Sequence, residues 1–180
     1  FYYKIVHCDA YWNESDLASM EYLDGFDGGV IDTYDYSVNT TVNYIHYKIV
    51  FPNDDVQLKL SGNYAVKIAR DGDFENGVVA VACFSLVESL VNINVEVDGK
   101  TMKELNGRYQ AVSLDVIVDG LGAHDMMQDF IVVVRQNGRL DNESYLIRPT
   151  YVNGNRLRYE NRDELIFEGG NQYRSIDFSS

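Results

Sequence analysis

The chain has 180 residues, 46% of them hydrophobic, with 28 acidic against 15 basic side chains and a formal net charge of −13. That balance excludes a nucleic-acid or anionic-membrane footprint, since both require clustered Lys and Arg. No run of about 18 apolar residues occurs, so no segment crosses a bilayer as a helix, and the length suits one domain or two small ones.

The chain opens without an initiator Met on a strand-like run, Phe1 to Val6. The expectation is a piece of a longer protein, with any targeting segment removed. Period-2 alternation of β-branched and aromatic residues dominates the chain. It predicts strands near 1–8, 33–38, 43–51, 62–70 and 78–87 in the first half. One short helical turn is predicted near 14–24, capped by Ser15, with Leu17, Met20, Tyr22 and Leu23 on its apolar side. Turn signals separate these elements at Gly25, Gly28-Gly29, the 52–55 segment, Ser61 to Asn63, and Asp71 to Asp73. The second half reads as strands near 91–98, 110–119, 129–136, 144–151, 156–160 and 172–178. Asn153-Gly154 between the fourth and fifth of these predicts a type I′ hairpin, in which both central residues need positive φ.

Many short strands at this spacing, with little helix, predict an all-β fold. Two tandem immunoglobulin-like or fibronectin-like β-sandwich modules, 1–88 and 89–180, account for the pattern better than one large sandwich. The first module is expected to lack its first strands. Charge changes at the same boundary: residues 1–88 carry 5 basic and 14 acidic side chains (net −9), and residues 89–180 carry 10 and 14 (net −4).

Between Lys4 and Lys48 there is no Lys or Arg, while Asp9, Glu14, Asp16, Glu21, Asp24, Asp27, Asp32 and Asp35 occur there. Acid without counter-charge repels itself and tends to stay unfolded unless apolar surface compensates. Tyr11, Trp12, Tyr22, Phe26, Tyr34, Tyr36 and Tyr44 supply that surface. The expected result is an ordered, negative, aromatic-rich face. Its candidate partner-binding residues are Asp9, Tyr11, Trp12, Tyr22, Asp24, Phe26, Tyr34 and Tyr36.

Cys8 and Cys83 permit one disulfide, worth roughly 4 kcal/mol in the chain-entropy model if the two Cα atoms lie within about 7 Å. The alternative is two buried thiols in core strands. Catalytic chemistry finds little support. His7 and Cys8 are strand neighbours and point to opposite faces. His7, His46 and His124 show no zinc spacing. The aspartates of residues 24–35 do not follow an EF-hand loop and read as turn formers. No catalytic residue, metal ligand or cofactor is assigned.

Certain runs are more specific than these statistics. Residues 2–12 (YYKIVHCDAYW), 20–26 (MEYLDGF), 34–40 (YDYSVNT), 44–47 (YIHY), 52–54 (PND) and 60–64 (LSGNY) resemble the N-terminal region of a Bacteroidota family associated with the plug protein of the type IX secretion system. The likeness continues more loosely through 132–139 (VVVRQNGR) to Phe178. The resemblance implies exported, periplasmic β-sandwich modules with no enzymatic role. It also implies that they close the periplasmic mouth of an outer-membrane β-barrel translocon, which is then the partner. The alternative expectation is a carbohydrate- or surface-binding module of the envelope, with Trp12 and its neighbouring tyrosines as a glycan platform.

Overall fold

The computed structural model describes residues 1–101, 103, 108–146 and 148–170. The chain is all-β and divides into two compact units, Phe1–Glu88 and Ser89–Ser180. The strand expected at 172–178 lies outside the described residues. Among them, no helix is long and apolar enough to cross a membrane.

In the first unit, β1 (Tyr2–Cys8), β3 (Gly28–Val30), β7 (Gly62–Ala69) and β8 (Val78–Leu86) form an antiparallel sheet in the order β3-β1-β7-β8. Alternation sends Tyr3 and Ile5 of β1 and Tyr64 and Val66 of β7 to one face. That face packs on a second layer made of β2 (Leu23–Gly25), β6 (Val56–Leu58) and the apolar side chains of Ile31, Tyr47, Ile49 and Phe51. A further pair, β4 (Tyr34–Tyr36) with β5 (Ile45–Tyr47), forms a separate hairpin.

Three local expectations are corrected. Gly28-Gly29 is strand β3 and not a turn. A Cβ on Gly28 would sit 2.6 Å from the Tyr3 carbonyl oxygen, and one on Gly29 would sit 3.0 Å from the Tyr3 ring. The glycines let a backbone lie directly on β1, a role that looks like a turn signal in sequence. The helix is only α1 (Ser19–Tyr22), and Ser15 does not cap it. The Ala18 N–H donates instead to the Glu21 carboxylate (2.6 Å), while Ser15 Oγ pairs with His7 Nδ1 (3.0 Å). Leu17 and Met20 face solvent, and only Tyr22 and Leu23 enter the core.

The third correction concerns the cysteines. Cys8 and Cys83 are free, one buried and one exposed. Cys8 lies opposite Asn63 of β7, and Cys83 lies opposite Ala65 of the same strand. Strand β7 therefore stands between them. Two interstrand spacings, about 9.5 Å, exceed the reach of a disulfide. Burial pushes the Cys8 thiol up, and the neighbouring Glu14 charge adds to it. In the native protein a maleimide is expected to label Cys83 alone, and both cysteines after denaturation. Native labelling of Cys8, read by peptide mass, would contradict this packing.

In the second unit, β10 (Tyr109–Val118) is the spine. On one side it pairs with β9 (Val91–Asp98). It also pairs with β14 (Arg156–Tyr159) and β15 (Ile166–Glu168), and β13 (Tyr151–Asn153) extends the sheet beyond β14. Leu114, Val116, Val118, Leu157 and Tyr159 on one face pack with Leu146 and with Val132 and Val134 of the hairpin β11 (Val132–Arg135) and β12 (Glu143–Leu146). The strand expected at 144–151 is interrupted between β12 and β13. Pro149 lies in the gap and has no N–H to offer a ladder. The β13–β14 turn also differs from the expected type: Asn153 pairs with Arg156, so the central residues are Gly154 and Asn155. Only Gly154 has positive φ (+60°), the pattern of a II′ turn with glycine first.

The opposite face of this sheet is polar. Asp115 is 4% exposed and accepts from Arg156 and from Arg158 Nη1 (2.9 Å) through Oδ2. Arg158 is in turn held by Glu160 (2.9 Å) and Glu96 (3.4 Å). The Arg156 hydrogen bond holds the Asp115 carboxyl below the usual carboxylate range, against the opposing effect of desolvation.

Candidate docking face

The eight residues expected to share one face occupy separate places. Asp9 follows β1 and accepts the Tyr11 N–H (2.8 Å), the Asn13 N–H (2.9 Å) and Asn13 Nδ2 (3.1 Å). It organises its own loop, and the Asn13 side-chain bond keeps its carboxyl below the ordinary range. That loop is tied to β7 by Asn63 Nδ2 donating to the Asp9 carbonyl (2.9 Å). Trp12, in a left-handed conformation (φ 67°), folds back onto Val6, Cys8 and Ala65. Its ring therefore covers the sheet and is not an open platform. Tyr22 is a core residue, 5% exposed, with its hydroxyl donating to the Ile5 carbonyl (3.3 Å). Burial pushes its phenol up. Trp12 and Tyr22 are thus withdrawn from the candidate face, and with Trp12 goes the glycan platform built on it.

Asp24 and Phe26 lie at the end of β2. The Phe26 N–H donates to the Asp55 carbonyl (3.2 Å), and Phe26 is 72% exposed. Tyr34 and Tyr36 lie on β4, near the opposite end of β1 from Asp9. Ile31 N–H donates to the Phe1 carbonyl (2.9 Å), and the Phe1 ring meets Tyr47 edge-on at 4.9 Å. The seven residues of β1 separate those ends, about 25 Å at the rise of a strand.

The structure groups a different set of residues around Tyr34 and Tyr36. Tyr34 lies opposite Tyr47 and Tyr36 opposite Ile45. Tyr34 contacts Tyr36 edge-on and Tyr47 at a tilt, both at 5.6 Å between ring centres. Beyond them Ser37 Oγ accepts the Tyr44 N–H (3.0 Å), and the Ser37 N–H donates to the Tyr44 carbonyl (2.9 Å). The tip projects Tyr36, Val38, Val42 and Tyr44 into solvent. Tyr36, Ser37, Asn43, Tyr44 and Ile45 line an open cleft of about 470 Å³. Scattered exposed apolar residues are ordinary, and these are instead gathered on one hairpin, which makes it the candidate docking surface. Sequence reasoning missed Val38, Val42 and Ile45. The available signal was the run 37–45, which has no charged residue and two exposed-side valines.

Electrostatics reinforce the hairpin's character. Among the described residues, the first unit has one ion pair, Lys67 with Glu14. Lys59 Nζ is directed to the Met20 carbonyl (2.8 Å). Asp24, Asp27, Asp32 and Asp35 have no ion-pair partner among the described residues, so the negative field of this unit is not cancelled locally. As for chemistry, His7 reaches Ser15 and the Ser61 carbonyl (3.5 Å), not Cys8. Among the described residues, no group of three or more His, Cys, Asp or Glu is placed to hold a metal.

A crystallographically solved hypothetical protein from Parabacteroides merdae ATCC 43184 is 38% identical to this chain, with a TM-score of 0.86. The match covers 99% of this chain and 45% of that one, so this chain spans less than half the length of that protein. No curated protein matches. Residues 1–88 match the model of the type 9 secretion system plug protein first domain. Those residues are the whole of the first compact unit, which therefore belongs to the family of type 9 secretion system plug protein first domains.

Proposed function

We propose that the chain is a non-enzymatic, periplasmic part of a plug protein, and that it docks on the periplasmic mouth of an outer-membrane secretion barrel. The two units act as separate β-sandwich modules, 1–88 and 89–180. Family membership of the first unit ties it to type 9 secretion. The observation that carries the docking reading is the β4–β5 hairpin. It presents Tyr36, Val38, Val42 and Tyr44 on a unit whose aspartates lack counter-charge. Aromatic anchors of this kind give affinity in protein interfaces, and surrounding charge gives rate and orientation. The partner surface is accordingly apolar at its centre and basic at its rim.

Charge steering gives the test. Association of the chain with the purified translocon barrel is expected to slow about ten-fold or more between low salt and about 0.5 M salt, where the Debye length falls to a few Å. Asp32→Lys with Asp35→Lys is expected to slow association while leaving dissociation nearly unchanged. Rates that ignore both salt and charge reversal remove the acidic flank from the mechanism.

A further inference from the structure

The last strand of the first sheet is a further feature whose outer side has no role inside its own unit. Among the described residues, strand β8 pairs with β7 along one edge and has no strand partner on the other. Its sequence, VVAVACFSL, contains no charged residue and no proline. Val79 (54%), Val81 (53%) and Cys83 on its outer face are exposed. Phe84 and Leu86 on the inner face pack on the core and hold the strand in place. Sheet edges are normally guarded by charge, proline, bulges or brevity. The one irregularity of β8 is at its start, beside Ala69, and nine residues offer an unguarded edge of about 30 Å.

The charge around the strand selects the occupant. Asp71, Asp73 and Glu75, with Arg70, lie in the turn before β8, and Glu88 comes after it. A second copy pairing antiparallel over 78–86 would bring Glu88 of each copy beside Glu75 of the other. Parallel pairing would set Glu88 against Glu88. Like charges opposed across strands are destabilising. An extended segment with an apolar, alternating centre and Lys or Arg at both ends satisfies the edge and both flanks.

We propose that β8 is a strand-addition site for such a segment of another polypeptide. Main-chain hydrogen bonds along residues 78–86 would supply the affinity, and the acidic flanks the preference for basic ends. The site is separate from the β4–β5 hairpin and does not rest on the docking reading.

The test uses the full chain and a synthetic peptide of about eleven residues, alternating Val and Thr with two Lys at each end. The controls are the same peptide with Glu at its ends and one with a central Pro. The Lys-ended peptide is expected to bind and to slow amide exchange across 78–86. The Glu-ended peptide is expected to bind at least about ten-fold more weakly, a difference of about 1.4 kcal/mol. The Pro peptide is expected not to bind. In the double variant Glu75→Lys, Glu88→Lys the order of the two charged peptides reverses, and Val81→Lys weakens the Lys-ended peptide without lowering the melting temperature. Several results would overturn the proposal: no binding by the Lys-ended peptide, equal affinity for either charge, or protection outside 78–86. Self-association of the free chain that Val81→Lys abolishes would also overturn it and assign the edge to a second copy.

Discussion

Replacing Tyr64 by alanine is expected to remove about 3–5 kcal/mol from the first unit, the largest stability effect of any single substitution there. Tyr64 is fully buried on β7, the strand between β1 and β8. Its ring stacks on Phe84 at 5.2 Å and meets His7 edge-on at 5.2 Å, with Tyr22 at 6.0 Å. Its hydroxyl donates to the Leu60 carbonyl (2.5 Å) and reaches the Tyr22 carbonyl (3.4 Å). The substitution therefore empties the centre of the core and removes the donor that ties the β6–β7 connection to β7. A domain of this size has roughly 5–10 kcal/mol in total, so the loss lowers its melting temperature by more than about 12 °C. Tyr64→Phe keeps the packing and loses only the hydroxyl bonds, about 1 kcal/mol. In a calorimetric scan, the transition of the second unit should stay in place. A shift of less than about 3 °C, or equal movement of both transitions, would contradict this account.

In the second unit the largest effect is expected at Asp115. Its carboxylate is buried between two arginines, and Arg158 is itself largely covered. Asp115→Ala leaves the Arg158 guanidinium with Glu160 and the distant Glu96, one buried partner short. Removing one member of a buried pair costs about 3–5 kcal/mol. The half-exposed Arg156 can rehydrate, so a loss of about 2–3 kcal/mol is expected. The pH dependence has a definite sign. A carboxyl whose folded pKa lies below its unfolded value stabilises the fold above the unfolded value of about 4, and that stability disappears as pH falls through the folded value. Glu143, held down by its hydrogen bond from Arg135, acts in the same direction. The second unit should therefore weaken below about pH 4, and Asp115→Asn should make that loss shallower. An identical acid limb in Asp115→Asn, measured by denaturant midpoint against pH, would show that Asp115 does not carry it.

The strongest alternation in the sequence became the longest strands. Residues 2–8, 62–69 and 109–118 pair over nearly their full predicted lengths because each has one face to bury, whereas 78–86 and 91–98 do so with most of their apolar side chains exposed. The three-residue strands β2, β6 and β15 were not legible, since three residues carry no period. Gly28-Gly29 misled for a physical reason: glycine signals both positive φ and close backbone approach, and here the second applies. The same ambiguity governs aromatics in an acidic stretch. Tyr22 and Tyr36 look alike in sequence, yet one fills the core and the other projects from a hairpin. The difference lies in their long-range neighbours. Tyr22 lies beside Ile5 and Tyr64, whereas Tyr36 meets Ile45 and Tyr34 within its own hairpin. The acidic character of the first unit was legible because composition alone fixes it. The position of the exposed aromatic hairpin was not.

The docking account is tested most directly by equilibrium binding of the chain to the purified type 9 secretion barrel, wild type against Tyr36→Ala with Tyr44→Ala. Both tyrosines are exposed on the hairpin, so the double variant should fold and melt like the wild type. The account predicts that the wild type binds and that the variant binds about thirty-fold or more weakly, the loss expected for two aromatic anchors. Equal affinity of the two proteins, or no binding by the wild type, would contradict it.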